Sequence, residues 1–154
     1  MTVIVYFDGL CEPKNPGGYG AFGFVIEREG AVVKSGSGVI GWGTTNNVAE
    51  YTGAIESVKV ANEMFPDQTK ILRGDSQLVI RQVNGEYAVR SPRIIPLFSE
   101  LKKHLSKSSW RAEWVPREQN EKADNETRDA VWKAIGKYPV RGRLLPERPD
   151  RTPP

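Results

Sequence analysis

Four acidic residues, Asp8, Glu50, Asp75 and Asp124, lie far apart along the chain, each beside a predicted boundary of secondary structure. Carboxylates are the ligands that hard divalent cations such as Mg²⁺ require. Four of them meeting at one point could form one metal-binding site, and the expectation is that this site cuts nucleic acid. Without metal the same four would repel one another and raise their pKa values. Taken singly, each has a plainer role. Asp8 is a turn residue at a strand end, and Glu50 is half of a capping box opened by Asn47. Asp75 caps the helix that follows it, and Asp124 complements the positive end of a helix macrodipole. The chemistry depends on whether the fold brings the four together.

Asp8 closes the stretch around which the rest must be organised. In Thr2-Val3-Ile4-Val5-Tyr6-Phe7-Asp8-Gly9, Val3, Val5 and Phe7 alternate with Ile4 and Tyr6. Both faces are apolar, so the stretch reads as a central strand covered on each side. A lone carboxylate ending such a strand is costly unless a cation or donors hold it. Residues 10–20 are rich in turn formers and read as a loop. It is not a P-loop, because no Gly-Lys-Ser/Thr opens a helix after it. Residues 21–27 and 31–38 read as two more strands in an antiparallel meander. Asn46 or Asn47 caps a helix bearing Val48, Tyr51, Ile55 and Val58 that ends before Pro66. A short strand over 69–74 leads into a helix opened by Asp75-Ser76 and stopped at Gly85. Pro92 reads as the first residue of a helix reaching about residue 106. Residues 110–115 read as the last strand and 120–136 as the last helix. This order predicts an α/β fold, a mixed sheet with helices on both faces. Residues 1–137 form one domain, and 138–154, rich in Pro and Arg without apolar period, form a flexible, largely disordered tail.

A chain of 154 residues, 38% hydrophobic and 27% charged, has the composition of one globular domain. No apolar run approaches the ~20 residues of a membrane span, and no signal peptide is legible. The single cysteine, Cys11, fits a reducing compartment, so a cytoplasmic location is expected. The formal charge of +3 resides in residues 137–154, which hold five basic residues against two acidic ones. The rest is balanced, so the overall charge says little about the body. Locally, Arg81, Arg90, Arg93, Lys102, Lys103 and Lys107 against Glu86 and Glu100 form a surface suited to phosphates.

Four segments occur in order: Tyr6-Phe7-Asp8-Gly9 with Asn15-Pro16-Gly17-Gly18; Thr44-Thr45-Asn46-Asn47-Val48-Ala49-Glu50; Gly74-Asp75-Ser76-Gln77-Leu78-Val79; and Trp114-Val115-Pro116-Arg117-Glu118-Gln119-Asn120-Glu121-Lys122-Ala123-Asp124. Together they resemble type 1 ribonuclease H, nearest its archaeal and plant-like branch, over nearly the whole chain to Gly136. The resemblance implies a ribonuclease H-like fold with a five-stranded mixed sheet, three strands antiparallel and two parallel. It implies that Asp8, Glu50, Asp75 and Asp124 hold two Mg²⁺ ions, with Mn²⁺ accepted, about 4 Å apart on opposite sides of one phosphate. The implied reaction is endonucleolytic hydrolysis of the RNA strand of an RNA–DNA hybrid, leaving 5′-phosphate and 3′-hydroxyl ends.

Two departures from the family pattern bear on the site. Many bacterial members carry a histidine in the loop before the last acid, where this chain has Pro116-Arg117-Glu118. Arg117 is the best candidate for that role, as a phosphate or product contact, since it stays protonated and cannot be a base. Glu118, as a mobile acid, is the alternative. The only histidine, His104, reads as an exposed helix residue. The basic handle of some bacterial members is also missing, because residues 82–93 are short. Weaker substrate binding is expected, with Arg81, Arg90 and Arg93 supplying phosphate contacts and double-stranded RNA admitted as a second substrate. By resemblance Asn15, Asn46, Asn47 and Gln77, with groups of Gly9 and Cys11, line the minor groove and probe the 2′-hydroxyl. Thr45 holds a DNA-strand phosphate, and Trp42 is the tryptophan placed to touch substrate. No obligate protein partner is evident, and a monomer is expected.

Overall fold

The computed structural model describes residues 2–149, and residues 150–154 of the expected tail lie outside it. The first strand, β1 (Thr2–Glu12), is the middle of a five-stranded sheet. On one side it pairs antiparallel with β2 (Tyr19–Arg28), which pairs antiparallel with β3 (Ala31–Gly41). On the other side it pairs parallel with β4 (Thr69–Gly74), which pairs parallel with β5 (Trp110–Trp114). Helix α1 (Asn46–Met64) joins β3 to β4. Helices α2 (Gln77–Val83) and α3 (Ile95–Leu105) join β4 to β5, and α4 (Glu121–Ile135) follows β5. The mixed sheet, central first strand and helical layers match the expected fold class.

The two-sided apolar character of β1 is used on both faces. Val3, Val5 and Phe7 are fully buried against Tyr51, Ala54 and Val58 of α1, with Leu72 and Leu101 in the same core. Leu10 of β1, with Tyr19 and Ala21 of β2, packs against Ala130 and Val131 of α4. Among the described residues no helix is long and apolar enough to cross a membrane.

Several boundaries differ from expectation: β2 begins at Tyr19 and β3 runs to Gly41, and four further differences have clear physical causes. Strand β1 does not end at Gly9 but runs to Glu12, because Cys11 and Glu12 pair with Gly20 and Tyr19 of β2. Ladder pairing overrides the turn-forming composition there. The cap of α1 is Thr45, whose Oγ1 accepts from the Val48 N–H, and not Asn46 or Asn47. Helix α3 begins at Ile95 rather than Pro92, after a turn closed by bonds from the Ile94 and Ile95 N–H groups to Ser91 O. That turn buries Ile94 in the core, and Pro96 takes the first-turn position where no N–H is needed. The fourth difference is the tail. Residues expected to be disordered form a hairpin, β6 (Tyr138–Val140) and β7 (Arg143–Leu145), with Tyr138 buried and Leu144 against the α4 core.

Candidate active site

The parallel register of β1 and β4 aligns Tyr6 with Arg73. Two residues further along each strand stand Asp8 and Asp75, side by side where the strands part. Crevices at the carboxyl ends of parallel strands are the usual ligand sites of such sheets. Glu50 reaches the same point from α1. Its approach depends on Gly9: a Cβ at that position would lie 2.4 Å from Ala49 C and Glu50 N, so only glycine lets the helix pass this close. Gly23 does the same for α4, where a Cβ would lie 2.5 Å from Thr127 N and 2.9 Å from Ala123 O. Gly9→Ala is therefore expected to lower Tm by about 5 °C or more, from an overpacking cost of about 2 kcal/mol. It should also reduce activity through misplacement of Glu50, a loss that circular-dichroism melts and rate measurements on one sample separate from unfolding.

Carboxylate oxygens of Asp8, Glu50 and Asp75 lie within 4.8 Å of one another. They line a cavity of about 200 Å³ with Asp124, Arg117, Arg128 and Arg141. Asp124 faces Asp8 closely enough to share a hydrogen bond with it, and Arg128 one helical turn on grips both Asp124 oxygens at 3.0 and 3.1 Å. The plainer roles fail for three of the four. β1 continues past Asp8, so Asp8 is no turn residue. With Thr45 as cap, the third helical residue is Val48, so Glu50 completes no capping box. Ser76, whose Oγ accepts from the Val79 N–H, caps α2 and leaves the Asp75 carboxylate uncommitted to that task. Asp124 does lie in the first turn of α4.

Asp8 and Glu50 are almost completely buried. Burial, and then the charges of Asp75 and Asp124, push the Asp8 carboxyl well above the usual carboxylate range. Burial, and then its acidic neighbours, do the same to Glu50, with Arg117 pulling the other way. Asp75 is raised by burial and partly relieved by Arg117 and by a hydrogen bond from Asn120. Glu50 Oε2 is buried with no hydrogen-bond partner. Clustered, desolvated carboxylates with an orphaned oxygen fit a hard divalent cation, which would satisfy the lone pairs and cancel the repulsion.

The other expected contacts divide. Arg117, Gly9 and Asn46 line the acid cavity, whereas Glu118 lines a neighbouring hollow with Tyr6, Val25 and Glu27. Asn15 Oδ1 accepts from the Asn46 N–H at 2.9 Å, tying the β1–β2 loop to the start of α1. Asn47 is half-buried in the first turn of α1, and Gln77 is exposed at the start of α2. Cys11 is packed: its thiol donates to Lys14 O and Thr44 O, and burial pushes its pKa up. The Thr45 hydroxyl is engaged as the α1 cap. Arg81 pairs with Glu86 at 3.6 Å and lies over the Tyr87 ring, so its guanidinium is already occupied. Arg90 and Arg93 are exposed between α2 and α3, and Trp42 is exposed with its ring edge against Tyr19. His104 is half-buried and lines a different crevice.

Three residues of the site have no site role assigned from sequence. Asn120 is buried and donates from Nδ2 to Phe7 O, tying α4 to the strand that carries Asp8. Trp114 donates from its indole to Asp75 O. Arg128 clamps Asp124, and the four-residue spacing on one helix face is the sequence signal that encodes the pair.

Residues 6–130 match the reverse transcriptase-like family. The fold superposes on RNase H1 from the halophilic archaeon Halobacterium salinarum with a TM-score of 0.79, 32% identity, and coverage of 86% of this chain and 99% of that one. The chain belongs to the type 1 ribonuclease H family. A second member, LC11-RNase H1, solved in complex with an RNA/DNA hybrid, superposes with a TM-score of 0.80 at 30% identity, covering 86% of this chain and 99% of that one. The bifunctional protein Rv2228c of Mycobacterium tuberculosis is 31% identical over 133 residues, 85% of this chain. The chain spans only 36% of that relative's length.

Proposed function

We propose that this ribonuclease H-family chain is a metal-dependent endoribonuclease that hydrolyses the RNA strand of RNA–DNA hybrids. What carries the reading is the meeting of Asp8, Glu50 and Asp75, from three separate elements, within 4.8 Å and beside Asp124. The hybrid seen bound to LC11-RNase H1 supports the choice of substrate. Asp8, Glu50 and Asp75 would hold divalent cations, with Asp124 completing the set when Arg128 releases or shares it. Two Mg²⁺ ions, or Mn²⁺ in their place, would supply Lewis acidity to the phosphate and lower the pKa of a water molecule. Arg117, beside Glu50 and Asp75, offers the phosphate a cation that never deprotonates. Asn46 and Gln77, with the amides of Gly9, are the groups that would probe the 2′-hydroxyl. Water adds to phosphorus and the bond to the 3′-oxygen breaks, leaving 5′-phosphate and 3′-hydroxyl ends.

With each strand labelled in turn, a hybrid is expected to lose only its RNA strand in Mg²⁺, and neither strand after chelation. Hybrid cleavage that persists in chelator, or cleavage of the DNA strand, overturns the reading, and an RNA duplex in parallel tests the wider substrate range. For the backbone contacts, Arg90→Ala/Arg93→Ala should flatten the salt dependence of KM by a slope of ~0.9 per lost contact. Arg81→Ala should leave that slope alone, because its guanidinium is held by Glu86 and Tyr87.

A further inference from the structure

The β6–β7 hairpin lies beyond residue 130, where the family match ends, yet it reaches the acid cavity. Its connection is the two-residue turn Arg141-Gly142, with φ of 33° and 80°. Turns with positive φ at both central positions favour Asn, Asp or Gly in the first. Arginine there stores backbone strain, which persists where surrounding structure over-determines it and clusters at functional sites. Three contacts fix the hairpin. Arg128, while gripping Asp124, donates from Nη1 to Pro139 O. The Gly142 N–H donates to Glu12 Oε2 at 2.6 Å. Arg148 pairs with Asp129 at 3.1 Å.

Three arginines line the cavity. Arg128 is committed to Asp124 and Pro139. Arg117 faces Glu50 and Asp75. Arg141 has no ion-pair partner among the described residues and is exposed at the rim. A guanidinium without an ion pair in a cavity lined by five carboxylates, Glu12 beside its own turn among them, on a turn that disfavours it, is arranged for an anion from outside. Forked donors suit a phosphate.

We propose that the hairpin is a working part of the active site and that Arg141 binds a phosphate of the RNA strand entering the acid cavity. This rests on the hybrid-hydrolase reading and deepens it. Arg141→Gly suits the turn while removing the guanidinium, and Arg141→Lys keeps a charge without the fork. Relative to wild type, Arg141→Gly should melt at the same or a higher temperature. Its kcat/KM should fall roughly ten- to a hundredfold, mostly in KM, as expected for a lost charged hydrogen bond. Arg141→Lys should recover part of the loss, and Arg143→Ala on the same hairpin should lose little.

A second measurement needs no cleavage: affinity for a hybrid whose RNA strand is 2′-O-methylated, across a salt series, where Arg141→Gly should weaken binding and flatten the slope. Wild type that binds this hybrid but leaves the unmodified hybrid uncut in Mg²⁺ overturns the hydrolase reading, while the binding comparison still judges Arg141. Glu12→Ala, which unlatches the turn, should reproduce the loss and add little to it in the double variant. Equal cleavage and binding by wild type and Arg141→Gly, or equal damage from Arg143→Ala, overturns the proposal.

Discussion

Asp8→Asn is expected to lower kcat/KM on a hybrid by about a thousandfold while raising the Tm of the metal-free protein. The activity loss follows from removing one charged member of a buried electrostatic set, worth about 4 kcal/mol and hence about three powers of ten in rate. The gain in stability comes from the same atoms. Asp8 is buried on the central strand, facing Asp75 and Asp124, with its carboxyl pushed up first by desolvation and then by those charges. An amide is isosteric, carries no charge, and can donate to either neighbouring carboxylate. Relief of about 1 kcal/mol or more would raise Tm by about 3 °C in a chain of this size. Melting in chelator, beside rates in Mg²⁺, checks both halves. Unchanged activity removes Asp8 from the site. A lower Tm in chelator means that Asp8 serves packing, not metal.

That opposition between stability and function explains which parts of the molecule were legible in sequence. The central place of β1 was legible from alternation in residues 2–9: Val3, Val5 and Phe7 are fully buried, while Ile4 and Tyr6 on the other face are half-buried. The acids were legible as a set only through their neighbouring motifs. Nothing in the type or spacing of Asp8 and Asp75 says that β1 and β4 lie parallel in a register that aligns Tyr6 with Arg73. Elements failed where tertiary pairing outweighs local composition. Residues 10–12 have turn-forming composition, yet Cys11 and Glu12 pair with Gly20 and Tyr19 of β2.

The C-terminal hairpin failed differently. Averaged over residues 138–154, Pro and Arg hide two short strands, although Tyr138 and Val140 flanking Arg141-Gly142, with Leu144 and Leu145 beyond, carry a hairpin signal. Asn120 opens α4 as its N-cap residue, as expected, but its side chain also turns inward to Phe7 O, a bond 113 residues apart in sequence that no local pattern encodes.

Mg²⁺ is expected to stabilise the protein far more at pH 8 than at pH 5. Asp8, Glu50 and Asp75 all have pKa values raised in the fold, the first two strongly. An acid of this kind holds its proton in the fold after the unfolded chain has released it, so stability falls as pH rises from the ordinary carboxylate range, about 4, through the raised value. Metal-free protein should therefore lose stability over this window, and cations that replace the protons should restore it. For a dissociation constant of about 1 mM, 10 mM Mg²⁺ at pH 8 would contribute about 1.4 kcal/mol, or about 4 °C in Tm. At pH 5, where protons compete, the shift should be below about 1 °C.

Two other groups run the opposite way. His104, lowered by burial, gains stability as pH rises toward its ordinary value of 6.5. Glu113, lowered by its hydrogen bond with Arg73, loses its contribution only as pH falls below its ordinary 4.5. Both are common to wild type and Glu50→Gln, so the difference between the two proteins isolates the acid cluster. Glu50→Gln should flatten both the pH decline and the Mg²⁺ response. If the wild-type response to Mg²⁺ is equal at the two pH values, the cations bind somewhere other than these buried carboxylates.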